Sequence, residues 1–147
     1  MEKYDNQLAQ RVWQRVRGEV TGAQGSVKGF LLAEAETLAV CRQLSRLYPA
    51  QKRLWQQLAG DVRRNMAILR GVLYLTEGHR GEEILLNPRQ EQPEALLRLS
   101  CAQCMKLEGQ YRSCADDPEY GCIYERLADA KGAQLATVLE IIGNMGK

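Results

Sequence analysis

The stretch from Leu54 to Leu75, LWQQLAGDVRRNMAILRGVLYL, constrains the fold more than any other part of the chain. Leu58, Val62, Leu69 and Val72, with Asn65 among them, recur at three- and four-residue spacing, so they share one face of a helix and that face must be buried. A second stretch, Tyr124 to Ile142 (YERLADAKGAQLATVLEII), echoes the first. Leu58-Ala59 has its counterpart in Leu127-Ala128 and Asp61 in Asp129, which sets Val62 opposite Ala130 and Asn65 opposite Ala133. Two related amphipathic helices of this length predict an all-α fold built from paired helical hairpins.

The rest of the chain supplies their partners. Residues 4–17 predict a short amphipathic helix burying Leu8, Val12 and Val16 or Trp13, which stops at Gly18. Glycines at 18, 22, 25 and 29 then break every helical window. Residues 1–25 therefore read as an N-terminal helix and glycine-rich loop, and residues 26–147 as the main domain. A helix from Ser26 or Gly29 to Tyr48 places Phe30, Glu34, Leu38, Cys41, Leu44 and Ser45 near one face, and Pro49 ends it. A tight turn leads to the helix at about residues 51–76. The segment from Thr76 to Pro93, TEGHRGEEILLNPRQEQP, has no sustained period and predicts a long connection, with Ile84, Leu85 and Leu86 pinning it to the helices. A third helix, about residues 94–115, carries Leu97, Cys101, Cys104, Leu107 or Glu108, and Tyr111 on one stripe. Asp117 as N-cap, Pro118 at the first helical position and Glu119 near the positive end of the dipole predict the start of the fourth helix, which runs to about Asn144.

In this register the helices resemble those of the ferritin-like, rubrerythrin-like four-helix bundles. The second and fourth helices of that family carry Asp-Glu-x-x-His, whose Glu and His bind iron. Here the same places read Asp61-Val62-Arg63-Arg64-Asn65 and Asp129-Ala130-Lys131-Gly132-Ala133. Phe30-Leu31-Leu32-Ala33-Glu34 is similar to the apolar run ending in the family's first-helix ligand. The family's aromatic seven residues after the third-helix ligand leads from Tyr111 back to Cys104, and the same step on the first helix leads from Glu34 to Cys41. Ala67-Ile68-Leu69-Arg70-Gly71 and Tyr124-Glu125-Arg126-Leu127-Ala128 extend the likeness over residues 26–144.

The resemblance implies a ferritin-like four-helix bundle, two antiparallel hairpins joined by a long crossover. It places the former metal positions at Glu34, Val62, Asn65, Cys104, Ala130 and Ala133. Glu36 is the inward carboxylate at a register two residues away, and Gln134 is an amide able to swing toward the site. One carboxylate with an amide or two does not hold two iron ions. The expectation is a non-catalytic protein without a cofactor, in a structural or interaction role with an unidentified protein partner.

Glu34 is then a lone carboxylate on an apolar stripe, which burial penalises unless it is protonated or hydrogen-bonded, and Asn65 is its natural partner. A small-ligand or water pocket and a single metal ion are the alternatives at the same place. Cys101 and Cys104 form Cys-x-x-Cys, so the alternative function is a metal-binding or redox-thiol protein, with Cys101, Cys104 and Glu34 as the ligand set. Packing as small hydrophobes is the simpler role for these cysteines. Five cysteines without an export signal argue against a disulfide framework, although Cys114 and Cys122 flank one turn, and the cytoplasm is the expected compartment.

No run approaches the roughly 18 apolar residues that span a bilayer. The net charge of +2 gives no case for nucleic acid. It divides unevenly, with 12 Lys+Arg against 6 Asp+Glu in residues 1–75 and 8 against 12 thereafter, a dipole that suits packing of the two halves or a homodimer, while a solvated surface accounts for it more simply. Trp13 and Trp55 suit packing of the N-terminal helix or a partner surface, and Arg63-Arg64 suits a solvated face. His79, the sole histidine, falls in the connection, and no phosphate loop or Ser/His/Asp set is present.

Overall fold

The computed structural model describes residues 26–147. The N-terminal helix expected at residues 4–17, Trp13 and the glycine-rich loop lie outside them. Four helices, α1 (Val27–Leu47), α2 (Lys52–Glu77), α3 (Pro93–Ser113) and α4 (Gly121–Met145), account for the fold, with no strand among the described residues.

Their ends follow from local chemistry. Ser26 caps α1, its hydroxyl accepting from the Gly29 amide at 3.2 Å. Tyr48 and a single 3₁₀ turn, Pro49–Gln51, reverse the chain into α2. Gly78 ends α2 with φ of 81°, a left-handed conformation open to glycine, and its amide bonds the Tyr74 carbonyl. Pro93 and Glu94 open α3, where a missing amide is harmless and a carboxylate meets the positive end of the helix.

The start of α4 lies later than the sequence suggests. Asp117 Oδ1 accepts from the amides of Glu119 and Tyr120, both at 2.8 Å, so it closes a separate turn and the helix begins at Gly121. A Cβ on Gly121 would collide with the backbone carbonyl of Ala115. Gly121→Ala is expected to cost about 1–3 kcal/mol, the range for overpacking. Urea unfolding reads it directly, and an unchanged midpoint would show that the turn relaxes freely.

Helices α1 and α2 pack as one hairpin and α3 and α4 as another, with α1 also against α3 and α2 against α4. The connection at residues 78–92 follows the outside of α1. Near one end Arg70 Nη1 donates to the Arg80 carbonyl at 2.8 Å, and near the other the Gln43 amide brackets the Arg89 backbone with two bonds of 3.1 Å. Of the expected apolar pins only Ile84 packs inward, whereas Leu85 is exposed and Leu86 largely so. No helix among the described residues is long and apolar enough to cross a membrane.

Candidate functional site

Two apolar clusters fill the interior. One contains Leu38, Cys41, Leu44, Trp55, Leu58, Val62, Leu96, Val138 and Ile141; the other contains Phe30, Leu31, Leu69, Leu73, Leu107, Tyr111, Tyr124 and Leu127. Along every helix the chain passes from one cluster to the other through polar or thiol residues: Glu34 and Thr37 on α1, Asn65 on α2, Ser100 and Cys104 on α3, Lys131 and Gln134 on α4. All are buried, so a polar layer crosses the middle of the core.

Glu34 is its hub. Both Glu34 and Lys131 have no exposed surface, and Lys131 Nζ lies 2.8 Å from Glu34 Oε1. The Tyr111 hydroxyl donates to Oε2 at 2.6 Å and Asn65 Nδ2 donates to the same oxygen at 3.2 Å. Each of the other three helices thus sends one donor to a carboxylate on α1. Charge-assisted bonds of this kind are needed to offset the desolvation of two buried charges. Tyr111 is held in place by aromatic packing, with its ring centroid 4.7 Å from Phe30 and 6.3 Å from Tyr124. Burial, then the adjacent Glu34 carboxylate, pushes the Tyr111 hydroxyl far above its ordinary range, so it remains a donor.

On α4 the inward positions are Lys131 and Gln134. Ala130 is half-buried and Ala133 is exposed, so neither occupies the place in the layer that pairing Asp61 with Asp129 assigns to it. The aspartate pairing is one residue out of step with the Leu58-Ala59 and Leu127-Ala128 pairing, and the buried face follows the latter. Carried forward unchanged, that apolar pairing sets Val62 against Lys131 and Asn65 against Gln134. The signal for the buried lysine was therefore present in the sequence, although lysine is a residue type that is rarely buried.

Gln134 is 2% exposed, and neither its amide oxygen nor its nitrogen has a hydrogen-bond partner among the described residues. Val62 contributes only apolar surface at its level. Glu36 is half-buried at the α1–α3 seam, where Gln103 Nε2 lies 3.5 Å from its Oε1, and it is outside the polar layer.

On α3 the buried stripe runs through Leu96, Ser100, Cys104, Leu107 and Tyr111, leaving Leu97 and Cys101 on its flank. Burial raises the Cys41 thiol from 9.0 to about 12, with Cys104 next in effect, and burial also raises Cys104 and Cys101. An attacking or metal-binding sulfur must ionise, and these environments oppose it. Cys101, Cys104 and Glu34 do not converge as a ligand set: no three His, Cys, Asp or Glu among the described residues are grouped to hold a metal. Cys114 is buried, Cys122 is exposed, and no cysteine among the described residues is in a disulfide. Trp55 is fully buried, and His79 sits in the connection with its Nδ1 accepting from the Gly81 amide.

A di-iron centre does not fit these residues. Lys131 directs an ammonium at the one carboxylate, and Val62, Asn65, Cys104 and Gln134 provide none of the charge that two iron ions require. No protein-family model, curated protein or solved structure matches the chain.

Proposed function

We propose that this chain is a ferritin-like, rubrerythrin-like four-helix bundle in which an internal organic ion pair takes the place of a di-iron centre, and that it serves as a non-catalytic structural or interaction protein. The observation that carries this reading is the 2.8 Å contact between Lys131 Nζ and Glu34 Oε1, both fully buried at the middle of the four helices. A lysine ammonium satisfies the carboxylate as a metal ion would, but it offers no open coordination position and no change of oxidation state. The ionisable groups of the interior are engaged with one another and closed off from solvent, and the one histidine stands on the exposed connection beside Glu77, away from the polar layer, which supports a non-catalytic role.

Elemental analysis of the full chain purified without chelators, together with a ferrous-oxidation assay, tests the proposal. The expected result is iron far below one atom per chain and no oxidation above the protein-free rate. Two iron atoms per chain would overturn it.

A further inference from the structure

Two concave regions on the surface differ in charge. The groove between α1 and the connection, about 750 Å³, mixes Lys28 and Arg70 with Glu82 and Glu83, so its charges answer one another. The cleft between the last turns of α1 and the first three turns of α2, about 470 Å³, does not. Four cations, Arg42, Arg46, Lys52 and Arg63, line it, and among the described residues no carboxylate does. None of these four side chains forms an ion pair or a hydrogen bond with any described residue, whereas the neighbouring Arg64 pairs with Asp61. We infer that this cleft binds a compact multiply charged anion of the phosphate class, with a di- or triphosphate as its ligand.

The placement of Lys52 runs against local preference. Lys52 occupies the first turn of α2, where the dipole favours anions; that turn contains no acidic residue and has no side-chain cap. Arg42 and Arg46 are one turn apart on α1 and repel each other, although Arg46 in the last turn also meets the negative end of the helix. A cation placed so, with no counter-charge among the described residues, marks a position kept for something other than folding. An anion between the helices would relieve both costs at once.

The shape and chemistry of the cleft select the class. Buried Ala59 forms part of its lining with buried Ser45, whose hydroxyl is already committed to the Arg42 carbonyl. Gln56 is the remaining polar group. Among the described residues no aromatic side chain lines the cleft to stack a base, and Ala59 is its only apolar residue, so recognition rests on charge and hydrogen bonds rather than on a ring or an acyl chain. The volume suits a small molecule, and the four lining cations lie within one hairpin. Anion binding there does not depend on the interior ion pair.

Titration calorimetry of the full chain with sodium tripolyphosphate at low ionic strength tests it. One site per chain is expected, weakening more than tenfold as salt approaches half molar, because exposed charges are screened. Each cation removed is expected to weaken binding about tenfold, so Arg42→Gln with Arg63→Gln should cost about a hundredfold. Arg53→Gln, beside Lys52 but outside the cleft, should leave affinity unchanged. These positions are exposed, and melting of the variants should match the parent; if the double variant does not fold, Arg46→Gln alone, expected about tenfold weaker, decides. No heat with millimolar tripolyphosphate, or equal affinity in the cleft variants, would overturn the inference. So would binding of an RNA oligomer or of phosphatidylserine vesicles that the same substitutions abolish while tripolyphosphate remains unbound.

Discussion

Lys131→Met is expected to lower the stability of the protein by about 3–5 kcal/mol, since it strips the cation from a fully buried carboxylate while nearly preserving side-chain volume. For a chain of this size that is a fall of roughly 10–15 °C in Tm. The loss is not the net worth of the ion pair. Two charges brought into a core repay their desolvation only in part, and what the variant reveals is the cost of leaving Glu34 charged and short of a partner. The double variant Glu34→Gln/Lys131→Met separates these quantities. The amide carbonyl it introduces on α1 still accepts from Tyr111 and Asn65, and neither member of the ion pair remains charged inside, so most of the lost stability should return. A single variant as stable as the parent, or a double variant no better than the single, would show that the Lys131 ammonium is not what holds Glu34 in place.

Most of the helical layout was legible from the sequence because apolar spacing and breaker residues act locally. Pro49, Gly78 and Pro93 end or begin helices within a residue or two of where their backbone chemistry demands. The departures have physical causes. Asp117 resembles a helix cap, yet its carboxylate closes a separate turn on the amides of Glu119 and Tyr120, and Gly121, where a side chain would meet the Ala115 carbonyl, starts α4. Leu85 and Leu86 are apolar but remain largely outside, because a connection crossing the outside of α1 has only one inward position at that point, taken by Ile84.

The candidate site was half legible. Glu34, Asn65, Cys104 and Tyr111 all stood on predicted buried stripes, and Glu34 bonds Asn65 and Tyr111 across helices. Gln134 was legible as an amide able to turn inward, but Lys131 was not, because the aspartates at 61 and 129 are surface residues whose pairing is free to drift, whereas packing fixes the pairing of the buried Leu-Ala steps. The basic cleft was visible only as separate arginines on two helices. Convergence of Arg42 and Arg46 with Lys52 and Arg63 depends on how the hairpin closes, and no single-helix pattern shows it.

Alkaline pH is expected to destabilise the protein in overlapping steps that report on the same core, the thiols of Cys41, Cys104 and Cys101 first and the Tyr111 hydroxyl after them. The Cys41 thiol titrates at 9.0 when exposed and at about 12 in the folded chain, chiefly through burial, with Cys104 adding to the shift. Below pH 9 both states hold the proton and the group contributes nothing to the pH dependence. Between pH 9 and about 12 the unfolded chain releases it while the folded chain retains it, so the unfolded state gains and stability falls. A three-unit difference corresponds to roughly 4 kcal/mol across that window. Tyr111 adds to the loss from about pH 10 upward, because burial and the Glu34 carboxylate hold its hydroxyl protonated in the fold. Urea midpoints measured from pH 7 to about 11 should be level to about pH 8.5 and then decline. Cys41→Val should flatten the first part of the decline and Tyr111→Phe the later part, although each variant starts from a lower plateau because it disturbs packing or removes the 2.6 Å bond to Glu34. A decline unchanged in both variants would mean that neither group is held neutral by the fold, and that the layer around Glu34 is open to water.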